Sequence, residues 1–164
     1  YELLSAPLSF IEIVIGYVGA AATKSFSIGI IILLTSNLFV HIDIIHPFFM
    51  IFFLLITCIT FSLLGFIIGI ISDNFEQLNI VPMLIITPLV FLGGSFYTIN
   101  MLPEFWQNIA LLNPAVYLIS GFRWAFFGIG DVPIMTSVFT ILTFTILCVL
   151  IIWRIFKTGY KIKT

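Results

Sequence analysis

The chain has 164 residues, 62% hydrophobic and 8% charged, with a net charge of −1 at pH 7 and a mean hydropathy of +1.29. Soluble domains are about 45–50% apolar and about 25% charged, so a water-soluble fold is excluded, and the lack of a basic excess argues against nucleic acid as a partner. Apolar runs of spanning length recur without alternating strand patterns, which predicts an all-α polytopic membrane protein whose partner is the lipid bilayer.

The sequence starts at Tyr1 with neither a methionine nor a signal-peptide pattern, as expected for a piece of a longer chain. Residues 1–8 are mixed in polarity and break at Pro7. Ser9-Phe10-Ile11-Glu12 then matches the S-x-x-E capping box, in which the serine accepts from a free N–H and the glutamate reaches back to another. A helix is expected over 9–40. It would extend about 48 Å at roughly 1.5 Å per residue, against a hydrocarbon core of about 30 Å. Lys24 lies about 24 Å from its far end, where the ammonium can snorkel to water. Residues 9–23 are then expected to form an interfacial elbow or a protruding turn.

His41, Asp43 and His46 spell H-x-D-x-x-H before Pro47. The residue types suit a metal, but a short interfacial loop makes a poor cage, so a plain polar turn and no metal site are expected. The second span, 47–71, carries Gly65 and Gly69 as GxxxG. These either admit a close helix neighbour or are simply tolerated in a membrane helix. Cys58, and Cys148 in the last span, read as small core residues. Asp73 and Glu76 again fit a capping pattern. The third span, 78–96, holds Pro82 and Pro88 and breaks at Gly93-Gly94. Each proline frees a carbonyl. In lipid those carbonyls need partners, so this span should be buried among helices or line a cavity.

Residues 97–130 mix aromatic and polar side chains. Pro103 can sit at the first position of a helix to about Leu112. Asn113-Pro114 reads as N-cap and first helical residue of another, ending near Phe127 at Gly128 and Gly130. Neither spans comfortably, so both are expected as re-entrant or interfacial helices. The last membrane helix covers 133–157 and is followed by the tail 158–164. Lys24, Arg154, Lys157, Lys161 and Lys163 face one side and only Arg123 the other. By the positive-inside rule both ends are cytoplasmic and 97–130 lies at the outer face.

The resemblance rests on P-L-x-F-L-G-G-x-F-Y (Pro88–Tyr97), L-P-x-F-W (Leu102–Trp106), L-N-P-x-x-Y (Leu112–Tyr117) and Phe122-Arg123. Together these resemble the permease subunit of type-2 ABC exporters. E-L-L-x-A-P at Glu2–Pro7 looks like the end of that family's cytoplasmic coupling segment, and Asp131-Val132-Pro133 and the basic tail also fit. The resemblance implies a permease of six spans, of which those here are the third to sixth. It implies a homodimer in the cell inner or plasma membrane, working with separate ABC ATPase subunits. ATP and Mg would be used by that ATPase, with no cofactor on this chain. Contacts to the ATPase would come from Glu2, Leu3, Leu4 and Pro7. The outer gate or translocation pathway would comprise Gly93, Gly94, Phe96, Tyr97, Pro103, Trp106, Asn113, Pro114, Tyr117 and Arg123.

The residues themselves agree with a pore-forming, non-enzymatic part. There is no G-x-x-x-x-G-K-[ST] phosphate loop, no Ser/His/Asp set and no paired intramembrane carboxylate. Two other readings stand beside export. One is an assembly or scaffold protein using its small-residue faces for packing. The other is an ion-coupled carrier, which needs an intramembrane acid, whereas Asp43, Asp73, Glu76 and Glu104 fall outside mid-span. For Arg123, a gate contact with substrate headgroups or Glu104 stands beside an interfacial snorkelling arginine. For Tyr97, Trp106, Tyr117 and Trp124, stacking on sugars stands beside an aromatic belt.

Overall fold

A computed structural model describes residues 10–158. Ser9 of the capping box, the coupling residues Glu2, Leu3, Leu4 and Pro7, and the tail lysines Lys161 and Lys163 lie outside the described residues. The described chain is all-helical, in the order α1 (Phe10–Phe39), α2 (Pro47–Ile71), α3 (Phe75–Leu92), a 3-10 turn (Ile99–Met101), α4 (Glu104–Ala110), α5 (Pro114–Phe127) and α6 (Ile134–Thr158). Four helices, α1, α2, α3 and α6, are long and apolar enough to cross a membrane, and α4 and α5 form a pair bent by 93°. The expected all-α class, with four membrane helices and a short irregular pair, is the architecture observed.

Helix α2 is the hub, packing against α1, α3, α5 and α6. It is apolar around its whole circumference, and such a helix can be surrounded on all sides. Near its start, Phe53 closes a core with Leu118 and Ile141. Near its end, Leu63 and Ile67 close another with Val18, Cys148 and Ile152. Ile99, Ala110 and Val116 pack under the α4–α5 corner. Cys58 and Cys148 are buried free thiols, in keeping with a core role.

Lipid gives helices little hydrophobic reason to associate, so packing and hydrogen bonds between them matter more. The Thr60 and Thr145 hydroxyls meet at 2.7 Å between α2 and α6. One donates to the other, which in turn donates to the carbonyl of its own preceding turn. Thr60→Val is expected to cost about 0.6 kcal/mol, and at most about 1.7 kcal/mol. A double-mutant cycle with Thr145→Val, read by thermal unfolding in detergent, checks this.

The structure corrects one expectation and narrows the alternatives of two others. Helix α1 runs unbroken from Phe10 to Phe39, so no elbow interrupts its described part. Its first half holds no proline, and Ala20–Ala22 favour continued helix despite Gly16 and Gly19. A helix longer than the hydrocarbon core is in general accommodated by tilt or protrusion. Second, the Asp73/Glu76 capping box does not form. Helix α3 starts at Phe75 with Asn74 as a cap that makes no side-chain bond, and the Asp73 N–H donates to Gln77 Oε1 at 2.8 Å. Third, α3 holds no buried residue. Its main neighbours among the described residues are α2 and α5, and of the two expected settings it takes the second, since Pro88, Leu89 and Leu92 in its last turn line a cavity. The GxxxG pair makes no close contact within the described chain either, since a Cβ at Gly65 or Gly69 would meet open space.

Candidate functional site

The break after α3 is built by local chemistry and then tied down from α5. Gly94 sits at φ +84°, a left-handed conformation that glycine adopts without a Cβ penalty. It ends α3 at Leu92, before the expected limit at residue 96. The Ser95 hydroxyl donates to the Val90 carbonyl at 2.9 Å, and the Tyr97 hydroxyl to the Leu92 carbonyl at 3.0 Å. The Val90 carbonyl also accepts from the Gly93 N–H at 3.2 Å, and the Leu92 carbonyl is one that a helix end leaves without an intrahelical partner. Gly93 serves close approach. A Cβ there would lie 2.8 Å from Ile119 Cδ1 and 3.1 Å from Ala115 Cβ, both on α5.

Asn113 joins two helix ends with one side chain. Its Oδ1 accepts from the Ala115 N–H at 2.9 Å, as an N-cap should. Its Nδ2 donates to the Leu89 carbonyl in the last turn of α3 at 2.7 Å. Pro114 opens α5 as expected. Pro103 is the cap before α4, one place ahead of the first helical position expected for it. The Tyr117 hydroxyl donates to the Leu111 carbonyl at 2.9 Å, closing the corner between α4 and α5. Asn113→Ala should lose the cap, worth about 0.5–2 kcal/mol, and also strip Leu89 of its donor. Asn113→Asp keeps the cap acceptor but sets a carboxylate oxygen against the Leu89 carbonyl in place of the donor, so its thermal midpoint should fall below that of the parent despite the retained cap.

Arg123 is the centre of the arrangement. Its Nη2 donates to the Gly94 carbonyl at 2.7 Å and to the Tyr97 carbonyl at 3.3 Å. Its Nη1 pairs with Asp131 in the segment leading into α6. The side chains are only 20% and 8% exposed, respectively. The partner of Arg123 is therefore Asp131 and not Glu104, which is exposed at the start of α4. Asp131 is fixed from behind, because the next residue, Val132, donates its N–H to Ser120 Oγ at 3.0 Å. Arg123 through Gly94 and Tyr97, Asn113 through Leu89, and Gly93 by its close approach to Ile119 and Ala115 thus make separate ties from α5 and its cap to the same break. Phe96 stands apart, 77% exposed, and Trp106 lines the cavity on the α4 side.

Two contacts have no counterpart in the sequence reading. A Cβ on Gly121 would lie 2.3 Å from the Phe53 ring, so the absence of a side chain lets α5 seat against the hub helix. The 41–46 turn is more than a polar connection. The His46 ring stacks on Trp124 at 4.1 Å and 12°, with Phe49 edge-on to the indole at 5.1 Å. The His46 N–H also donates to the Ala125 carbonyl at 2.9 Å. Trp124 is therefore a clasp residue, engaged within the protein. The signal for it was present only as an aromatic beside the end of a short helix. No group of metal-binding side chains occurs among the described residues. The ties at the break hold backbone segments in place, and their bonds are few and separable.

A family model described as ABC-2 type transporter matches residues 1–127. The chain is 37% identical over 163 residues to the inner membrane transport permease YadH of Escherichia coli strain K12, covering 99% of this chain and 64% of that protein. It is 26% identical over 112 residues to nodulation protein J of Rhizobium leguminosarum bv. viciae, covering 68% of this chain and 43% of that one. With nodulation protein J of Rhizobium meliloti the identity is 24% over 121 residues, covering 74% and 46%. The chain thus spans 64% or less of the length of these relatives. No solved structure matches.

Proposed function

The chain belongs to the ABC-2 type transporter family, and from that premise we propose that it is the membrane-spanning permease part of an ATP-driven exporter. Two permease copies form the pathway, and separate ATPase subunits supply the energy from ATP and Mg. The protein lies in the inner or plasma membrane with both ends of this segment in the cytoplasm, and the break after α3 is its outer gate.

The observation that carries this reading is the latch at the break. A span that simply ended would not need Arg123, Asp131 and Asn113 to hold its last turn from another helix. An exit that must close and open needs a defined closed arrangement, held by bonds that can exchange as a unit. Among the described residues the acids Glu12, Asp43, Asp73, Glu76, Glu104 and Asp131 sit in connections or first helical turns, which favours outside energy over a proton relay.

Coupling to the ATPase falls to Glu2, Leu3, Leu4 and Pro7. In the full-length protein, Leu3→Glu with Leu4→Glu is expected to abolish co-purification with the cognate ATPase while leaving membrane insertion intact. Retention of the ATPase by the double variant would contradict that assignment. A full-length permease that associates with no ATPase at all would overturn the export reading itself.

A further inference from the structure

Three polar side chains are buried among the described residues, those of Thr60, Ser120 and Ser137. The first two are paired. Thr60 bonds Thr145 and the Ile56 carbonyl, and Ser120 bonds the backbone of Val132. The Ser137 hydroxyl, 0% exposed, has no partner among the described residues. Other hydroxyls of α6 show the ordinary solution, since Thr143, Thr145 and Thr158 each donate to the carbonyl four residues back. The equivalent acceptor for Ser137 is the Pro133 carbonyl, which takes the Ser137 N–H at 3.1 Å but not the hydroxyl. Ser137 shares instead the α6 face of Ile134 and Ile141, which pack with Phe53 of α2 and Leu118 of α5. A hydroxyl left unmet in such surroundings is costly.

Nothing outside the described chain can meet that cost in this arrangement. The side chain is already fully covered, so no further segment, second copy or lipid reaches its oxygen. A shift of α6 against α5 opens the seam and lets the hydroxyl be met. Ser137 also lies at the end of α6 where such a shift matters. Asp131 stands six residues ahead of it, paired with Arg123 of α5, and Pro133 between them has a fixed φ that ties this leader to the first turn of the helix. We infer that Ser137 is the release element of the latch. Its unmet hydroxyl disfavours the closed seat of α6, and moving α6 off α5 relieves it while drawing Asp131 away from Arg123. The release role rests on the break being a gate; the cost at Ser137 does not.

The test uses the full-length protein carrying Ser95→Cys, with thermal unfolding in detergent and labelling by a membrane-impermeant maleimide as its two readouts. Ser137→Ala removes the oxygen and little else, so it should raise the thermal midpoint, whereas Thr60→Val lowers it. It should also slow labelling about five-fold, the factor in an opening equilibrium for a hydroxyl penalty at the low end of its range. In the background of Arg123→Met with Asp131→Leu the midpoint should still rise, but labelling should not change, since no latch is left to release. An unchanged or lower midpoint would overturn the inference, because the hydroxyl is then satisfied by a turn onto the Pro133 carbonyl. A higher midpoint with unchanged labelling would also overturn it, and the gate would stand if the latch-free double variant labels faster than the parent. A double variant that labels no faster than the parent would defeat the latch itself, and the release role with it.

Discussion

Asp131→Ala is expected to destabilise the protein by about 3 kcal/mol, the lower end of the range for removing one partner of a buried ion pair. The variant leaves the Arg123 guanidinium four-fifths covered with no counter-charge, since its other acceptors are the neutral carbonyls of Gly94 and Tyr97. The lower end applies because Arg123 retains some exposure, through which water can solvate part of the charge. Thermal unfolding in detergent reads the loss. The double substitution Arg123→Met with Asp131→Leu separates stability from latching. Replacing a buried pair by apolar residues of similar size is often close to neutral, so much of the stability should return. The bonds to Gly94 and Tyr97 do not return. A cysteine at Ser95, probed with a membrane-impermeant maleimide, should therefore react faster in the double variant than in the parent, although both are folded. Equal reactivity in the two would show that Arg123 is a stability element and no latch.

Gly121→Ala should have a comparable effect by a different route. Its new Cβ would stand 2.3 Å from the ring of Phe53, which is completely buried. Neither α5 nor the ring can yield locally, so the helix must move off α2. Inserting a methyl into a packed core costs about 1–3 kcal/mol, and this contact belongs at the upper end. Phe53→Leu in the Gly121→Ala background should recover part of the loss, a non-additivity expected of groups in contact. Gly65→Ala and Gly69→Ala serve as opposites. Their Cβ atoms meet open space in this chain, so any large loss from them would place another helix against that face of α2.

These two predictions separate what is legible in the sequence from what is not. The spans follow from composition, because a chain this apolar has few ways to satisfy its backbone in lipid. The start of α5 follows from Asn113 and Pro114, and its end from Gly128 at φ +71°, since caps and left-handed glycines are local chemistry. The second bond of Asn113, to Leu89, spans 24 positions and has no local signal. The same holds for Arg123. Its hydrogen-bonding capacity is plain, but the choice of Asp131 over Glu104 depends on how α4 and α5 turn at their 93° corner. Gly121 sits in the middle of a short helix, where a glycine is unremarkable until Phe53 is placed beside it. Where local patterns misled, tertiary context was stronger. The Asp73/Glu76 pattern yields to the bond from the Asp73 N–H to Gln77, and the expected elbow yields to the helix-forming content of α1.

The proposed gate is the break after α3, held shut by the Arg123 latch. The most direct test is the distance across it in the assembled full-length permease–ATPase complex, measured by pulsed electron resonance between spin labels at Ser95 and Met135. A gate of this kind should shift the distance distribution between the nucleotide-free and ATP-bound complexes. Arg123→Met with Asp131→Leu should populate the shifted distance without nucleotide. One unchanged distribution in both nucleotide states and in the latch variant would contradict the gate.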